Sequence, residues 1–102
     1  MRIDWTEPAA ADLEEIYSYI AMDSIEKAKR YISRLFTSIE GLGVFPYSGH
    51  MVPEVARPDI REIIAGRHRV IYHVENERVI ILAIIHTSRD VANMQVKPWE
   101  IF

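Results

Sequence analysis

The chain has 102 residues, of which 49 % are hydrophobic and 26 % charged, and it carries a net charge of −3 at pH 7 with no cysteine. This length predicts one domain, residues 1–102, with its own hydrophobic core, and the missing cysteine excludes disulfides, thiolate nucleophiles and cysteine-ligated zinc. We expect a cytoplasmic protein that does not bind membranes, because the chain shows no signal peptide and no apolar run long enough to span a bilayer.

The beginning of the chain predicts a short strand and then a helix. Met1, Ile3 and Trp5 alternate with polar residues, which is the pattern of a strand with one buried face. Thr6 is a suitable N-cap, and apolar residues at helical spacing continue over residues 7–22.

A second helix is predicted directly after residues 22–24. Asp23 and Glu26 have the spacing of a capping box at its start, and Gly41 is a typical residue at its end. Because the connection is so short, the two helices must fold back on each other as an antiparallel hairpin.

The second half of the chain predicts a small antiparallel sheet. Residues 44–60 contain three prolines and one glycine and resemble an extended surface loop. Residues 61–65, 69–74 and 79–85 then form three strands joined by short turns, which makes an antiparallel meander. The sum is an α+β fold: an N-terminal strand, a two-helix hairpin and a three-stranded meander, with both helices packed on one sheet face.

The last predicted strand ends in the most informative segment of the sequence. Residues 79–85 are all apolar, which indicates a strand buried on both faces. Five polar residues follow at once, and they are His86, Thr87, Ser88, Arg89 and Asp90. The sheet edge where they emerge is therefore a candidate site for chemistry or for contact with a partner.

These features together resemble the RelE/ParE superfamily of toxins from bacterial type II toxin–antitoxin modules, often called plasmid stabilisation proteins. The matching positions are Trp5, Ala9, Asp12, Leu13 and Ile16; Phe45, Pro46 and Gly49; Arg61, Glu62 and Ile63; Arg69, Val70, Ile71 and Tyr72; residues 80–84; and residues 86–90. The resemblance implies a cognate antitoxin as partner, in a hetero-oligomer. It also implies one of two activities: ParE-like members inhibit DNA gyrase without known catalysis, whereas RelE-like members cleave mRNA on the ribosome.

The choice between these branches depends on whether the chain carries a nuclease site. Metal-independent RNA cleavage needs a base, an acid and cations around the phosphate, for which Arg61, Tyr72, His86 and Arg89 are the candidates. However, residues 44–74 contain no lysine, the tail after Arg89 contains no tyrosine or histidine, and the net charge is negative. A ParE-like gyrase inhibitor is therefore favoured over the alternatives, a RelE-like endonuclease acting on ribosome-bound mRNA or a non-toxic interaction module of the same fold.

The resemblance and the arginine-rich second half together suggest which residues contact a target or an antitoxin. These contact candidates are Arg61, Arg67, Arg69, His86, Arg89, Trp99 and Phe102. Each has an alternative: the arginines near the first hairpin can pair with carboxylates such as Glu62, and His86 can bond locally. The two aromatic residues of the tail either cover the sheet or mark where a partner binds.

The four histidines do not predict a metal site. Their spacing matches no helical ligand pair, and His68 and His73 should point to opposite faces of one strand. A serine-hydrolase triad of His86, Ser88 and Asp90 is also disfavoured, because residues two apart on a strand lack the mutual geometry that a triad requires. We expect no cofactor.

Overall fold

The structure is a computed structural model, and it describes residues 1–100; the candidate Phe102 lies outside the described residues. Two helices and five strands make up the fold. In chain order they are β1 (Arg2–Trp5), α1 (Glu7–Ala21), α2 (Ile25–Gly41), β2 (His50–Met51), β3 (Ile60–Ala65), β4 (His68–Val74) and β5 (Arg78–His86). Short 3₁₀ turns at Val91–Asn93 and Pro98–Glu100 follow.

The strands form one mixed sheet in the order β1-β5-β4-β3-β2. The predicted antiparallel meander is present as β3, β4 and β5, and β1 joins the sheet parallel to β5. The structure corrects the prediction of an extended surface loop over residues 44–60, because His50 and Met51 within it pair with β3 as a fifth strand. A strand of two residues is too short to show the alternation by which strands are recognised.

Polar side chains fix the start of each helix. Thr6 caps α1 as predicted, since its Oγ1 accepts the N–H of Ala9 at 3.2 Å. The cap of α2 is Ser24, whose Oγ accepts the N–H of Lys27 at 3.2 Å. The predicted capping box starting at Asp23 is therefore wrong by one residue, and the Asp23 carboxylate instead pairs with the Lys27 ammonium at 3.1 Å.

Both faces of the sheet are covered, by different parts of the chain. The helices cover one face, where Leu35 and Ile39 pack with the sheet residue Tyr72. Loop and tail residues cover the opposite face, with Trp99 and Val55 packed against its buried cluster. Trp99 thus covers the sheet, which is one of its two predicted roles. All residues of the 79–85 segment are buried, as predicted for a strand enclosed on both faces.

A β-bulge interrupts β5 at Leu82. Tyr72 of β4 is opposite Ile81 and Ile71 is opposite Ala83, so Leu82 has no partner on β4. Ile81 and Ile84 consequently both belong to the helix-side core, although they lie three positions apart, which is an odd number. The bulge changes which face of the sheet each later side chain of β5 occupies.

No helix within residues 1–100 has both the length and the apolar character needed to cross a membrane.

Candidate functional site

A large groove lies beside the open edge of β5. Strand β1 pairs with β5 only as far as Trp5 opposite Ile81, so residues 82–86 have no strand beside them on that side. The groove between this edge, α1 and tail residues 94–98 has a volume of about 1080 Å³. Ligands and partners bind preferentially in large concave sites that combine apolar walls with a few polar groups, which makes this groove the candidate functional site.

The segment between β1 and α1 satisfies the polar groups of the bulge. The Thr6 hydroxyl donates to the carbonyl oxygens of Ile81 and Leu82 at 3.0 and 3.2 Å. One turn later, Asp12 Oδ2 accepts the N–H of Ile84 at 2.9 Å. Burial raises the pKa of Asp12, and the neighbouring Glu15 carboxylate raises it further, while the Ile84 N–H and Arg89 oppose this shift. Asp12 therefore joins α1 to the irregular end of β5.

Replacing Asp12 by alanine should lower the free energy of unfolding by about 1–3 kcal/mol, since it leaves the N–H of buried Ile84 without its acceptor. Urea denaturation followed by circular dichroism measures this change. Asp12→Asn is the matched variant, because its amide oxygen can still accept the bond; equal losses in the two variants would contradict the proposed role.

Comparison of the wild type with Asp12→Asn also tests the pKa of Asp12. Because the folded-state pKa lies above its ordinary value of 3.8, the stabilisation linked to its proton is fully present below pH 3.8. It is lost as the pH rises through the folded-state pKa. We expect the wild type to lose stability relative to Asp12→Asn over that range, and a constant difference would contradict the shift.

Two histidines and a tyrosine form a cluster at the end of the groove. The rings of His68 and His86 meet edge to face with their centroids 5.5 Å apart, and Tyr31 Oη lies 2.5 Å from His68 Nδ1. His86 Nδ1 lies 2.7 Å from Ser88 Oγ and accepts the Ser88 N–H at 3.1 Å, so the alternative of a locally bonded histidine is correct. Burial and the nearby His86 lower the pKa of His68.

The four nuclease candidates do not converge. Tyr72 is fully buried, its hydroxyl accepts the Gly49 N–H at 3.1 Å, and burial raises its pKa, so the expectation that it assists catalysis is wrong. Arg61 lies two strands from β5, opposite Tyr72, whereas His86 is opposite His68. With strand spacings of about 4.8 Å and a rise of about 3.3 Å per residue, more than about 10 Å separates Arg61 from His86.

Arg61 is held away from the groove by its own contacts. Its guanidinium donates to the carbonyl oxygens of Pro58 and Gly49 at 2.9 and 2.8 Å, and it lies 5.0 Å from the ring centre of Tyr47. Of the four candidates, only His86 and Arg89 line the groove.

The contact candidates separate in a similar way. Arg67 and Arg89 line the groove. Arg69 does not: it is 8 % exposed and donates to both carboxylate oxygens of Glu62 at 2.8 and 2.7 Å and of Glu54 at 2.9 Å. The prediction that Arg69 contacts a target or an antitoxin is therefore wrong, because a guanidinium enclosed by two carboxylates cannot bind a partner.

Three residues of the groove, Asp12, Tyr31 and His68, were assigned no contact or catalytic role from the sequence. Asp12 was named there only as a position that matches the family, and His68 only as a possible metal ligand. In the sequence, Asp12 resembles any other acidic residue on the polar face of an amphipathic helix. Its bond to the Ile84 N–H depends on the bulge in β5, and the apolar sequence of that strand gives no sign of a bulge. His68 and His73 lie in contact with different neighbours, Tyr31 and Asp59 respectively. Within residues 1–100, no group of three or more acidic or histidine side chains is arranged to bind a metal.

Comparisons with known proteins identify the family. The family model described as the ParE toxin of type II toxin–antitoxin system, parDE, matches residues 3–91. Y4kP of Sinorhizobium fredii is 31 % identical over 88 residues, covering 86 % of this chain and 90 % of that protein. Toxin ParE1 of Mycobacterium tuberculosis is 33 % identical over 88 residues, covering 82 % of this chain and 88 % of ParE1.

A solved structure shares the fold as well. A chain of the chromosomal ParDE TA system from P. aeruginosa superposes with a TM-score of 0.71 at 26 % identity, covering 84 % of this chain and 95 % of that one. The element order, the sheet and the family match over most of the sequence agree. The chain belongs to the ParE toxin family of type II toxin–antitoxin systems.

Proposed function

We propose that this ParE-type toxin inhibits DNA gyrase in the cytoplasm and is neutralised by a cognate antitoxin that binds in the groove beside β5. The observation that carries the antitoxin part is the large groove beside the strand edge at residues 82–86. Thr6 and Asp12 already bond to the Leu82 carbonyl and the Ile84 N–H on this edge, so an antitoxin segment would bind in the groove mainly through its side chains. Tyr19 and Val96, which line the same groove and are 77 % and 55 % exposed, offer apolar contacts to its side chains.

The choice of gyrase over mRNA rests on two features. The candidate nuclease residues Arg61 and Tyr72 lie away from His86 and Arg89, and Tyr72 is buried. A net charge of −3 also suits ribosome binding poorly, because binding to nucleic acid depends on neutralising phosphates. Both features favour a toxin that acts through protein contact rather than by cleaving RNA.

The test expresses the chain from a tightly controlled promoter, alone and together with each short reading frame found directly beside its own. We expect growth arrest from the chain alone and recovery when the neighbouring protein is present. Purified toxin should then inhibit supercoiling by DNA gyrase and leave mRNA on translating ribosomes intact. Cleaved mRNA with unaffected supercoiling would establish the endonuclease alternative, and normal growth without the partner would establish the non-toxic module.

A further inference from the structure

We infer that the groove contains an oxyanion site, built from His68, His86, Arg67 and Arg89, which receives a carboxylate side chain of the antitoxin. This inference rests on the proposed antitoxin binding and names the chemistry that the partner must bring. It follows from the hydrogen bonds that each imidazole makes and from two arginines that form no ion pair with any residue in 1–100.

The local turn after β5 fixes the tautomer of His86. The backbone N–H of Ser88 donates to His86 Nδ1 at 3.1 Å, so Nδ1 is an acceptor in the neutral ring. The ring proton must then lie on Nε2. No residue among 1–100 accepts a hydrogen bond from this Nε2, and the ring lines the groove.

The contact with Tyr31 favours the same tautomer of His68. The Tyr31 hydroxyl oxygen already accepts the N–H of Arg67 at 3.0 Å. Its one proton can go to His68 Nδ1 at 2.5 Å or to the Ala65 carbonyl at 3.4 Å, and the shorter bond is the better one. With this bond His68 Nδ1 is an acceptor and Nε2 carries the proton, and this tautomer gives the groove a second imidazole N–H donor.

Arg67 and Arg89 add positive charge to these donors. Both line the groove, and neither forms an ion pair within residues 1–100. The Arg67 backbone is well fixed: its N–H donates to Tyr31, and its carbonyl accepts the N–H of Thr87 at 2.9 Å. The planar guanidinium group is suited to binding a carboxylate through two parallel hydrogen bonds.

The surroundings favour a single carboxylate on an apolar segment over a nucleic acid. The carboxylates of Asp12 and Glu15 line the same groove and would repel a continuous chain of phosphates. The remaining wall is largely apolar, with Ile16, Ile20 and Ile84 among its residues. One acidic side chain within an apolar stretch matches both properties.

The first test probes the anion site without the antitoxin. Imidazole resonances of the free toxin are followed by NMR while sodium acetate is added at constant ionic strength. We expect saturable shifts for His68 and His86 and none for His50, which lies on β2 outside the groove. Arg67→Ala and Arg89→Ala should abolish the shifts, whereas Arg30→Ala, an exposed arginine of α2 outside the groove, should preserve them. Equal responses from all histidines would overturn the site.

The second test uses calorimetry to measure binding of the antitoxin that rescues growth in the expression test above. Arg67→Ala and Arg89→Ala should each weaken binding about tenfold or more, and Arg30→Ala should not. Arg67→Gln and Arg89→Gln keep a polar side chain of similar length without the charge, and we expect them to weaken binding as well. Circular dichroism of all four variants shows whether any loss of binding comes from misfolding. The antitoxin's acidic residues are then replaced one at a time. For one of them, the change in binding free energy should not add to the change caused by Arg89→Ala.

The outcomes separate this inference from the proposed function. If the wild-type toxin binds the antitoxin and both arginine variants bind equally well, the oxyanion site is wrong and neutralisation by the antitoxin stands. If the wild type binds no antitoxin, the proposed function itself fails. If an RNA oligonucleotide shifts His68 and His86 at far lower concentration than acetate, the ligand is a phosphate and the carboxylate assignment is overturned.

Discussion

Replacing Arg69 by leucine should lower the free energy of unfolding by about 3–5 kcal/mol. The guanidinium is the partner of Glu62, which is 3 % exposed and bonded to it through both carboxylate oxygens. Without Arg69, a buried carboxylate remains with only His50 nearby, its Nε2 3.7 Å away. For a small domain, whose total stability is about 5–15 kcal/mol, this loss is large. Urea denaturation at pH 7, followed by circular dichroism, measures it.

Two control variants show whether burial causes the effect. Arg57→Leu breaks the more exposed ion pair with Asp59, and we expect a change of about 0–1 kcal/mol. The double variant Arg69→Leu/Glu62→Leu removes the isolated charge together with its partner and should recover part of the lost stability. A loss below about 1 kcal/mol for Arg69→Leu alone would contradict the idea of a buried, paired charge.

Gly49→Ala is expected to destabilise the fold by about 2–3 kcal/mol. A Cβ atom at this position would lie 2.3 Å from the carbonyl oxygen of Glu62 and 2.6 Å from Tyr72 Oη. The first atom belongs to the backbone of β3 and the second to a fully buried side chain, so neither can move aside easily. Thermal and urea denaturation of the purified variant measure the change.

Gly41→Ala is the matched control for Gly49→Ala. Gly41 is the last residue of α2, and a Cβ atom added there would have no neighbour within 4 Å. Alanine is preferred to glycine in a helix by about 0.5–1 kcal/mol, so this variant should be neutral or slightly more stable. Similar behaviour of the two glycine variants would show that close packing around Gly49 does not matter.

The parts of the fold that local sequence patterns determine were predicted well. Apolar residues recur at helical spacing in α1 and α2, and the uninterrupted apolar run at residues 79–85 identifies the buried strand β5. The polar residues that directly follow a buried strand must emerge at its end, so the place of His86 and Arg89 in the structure also follows from the sequence. His86 and Arg89 both line the groove.

Features that depend on contacts between distant residues could not be predicted. Arg69 follows Arg67 and His68 beside a turn, where a surface position is equally expected, and only the approach of Glu54 and Glu62 encloses this residue. Tyr72 lies in the same strand, and its burial depends on packing under the helices. The bond from Asp12 to Ile84 spans 72 positions in the sequence, and no local pattern indicates it.

The extra residue in β5 also affects how related sequences should be compared. Side chains alternate between the two faces of a strand, so one inserted residue reverses the phase of every position after it. Because of Leu82, His86 shares a face with His68 and Ile84 instead of pointing to the tail side of the sheet. A relative with the same polar motif but a regular strand would present that motif to the opposite face. Alignments of this segment should therefore be anchored at the bulge before equivalent roles are assigned to the histidine and arginine that follow it.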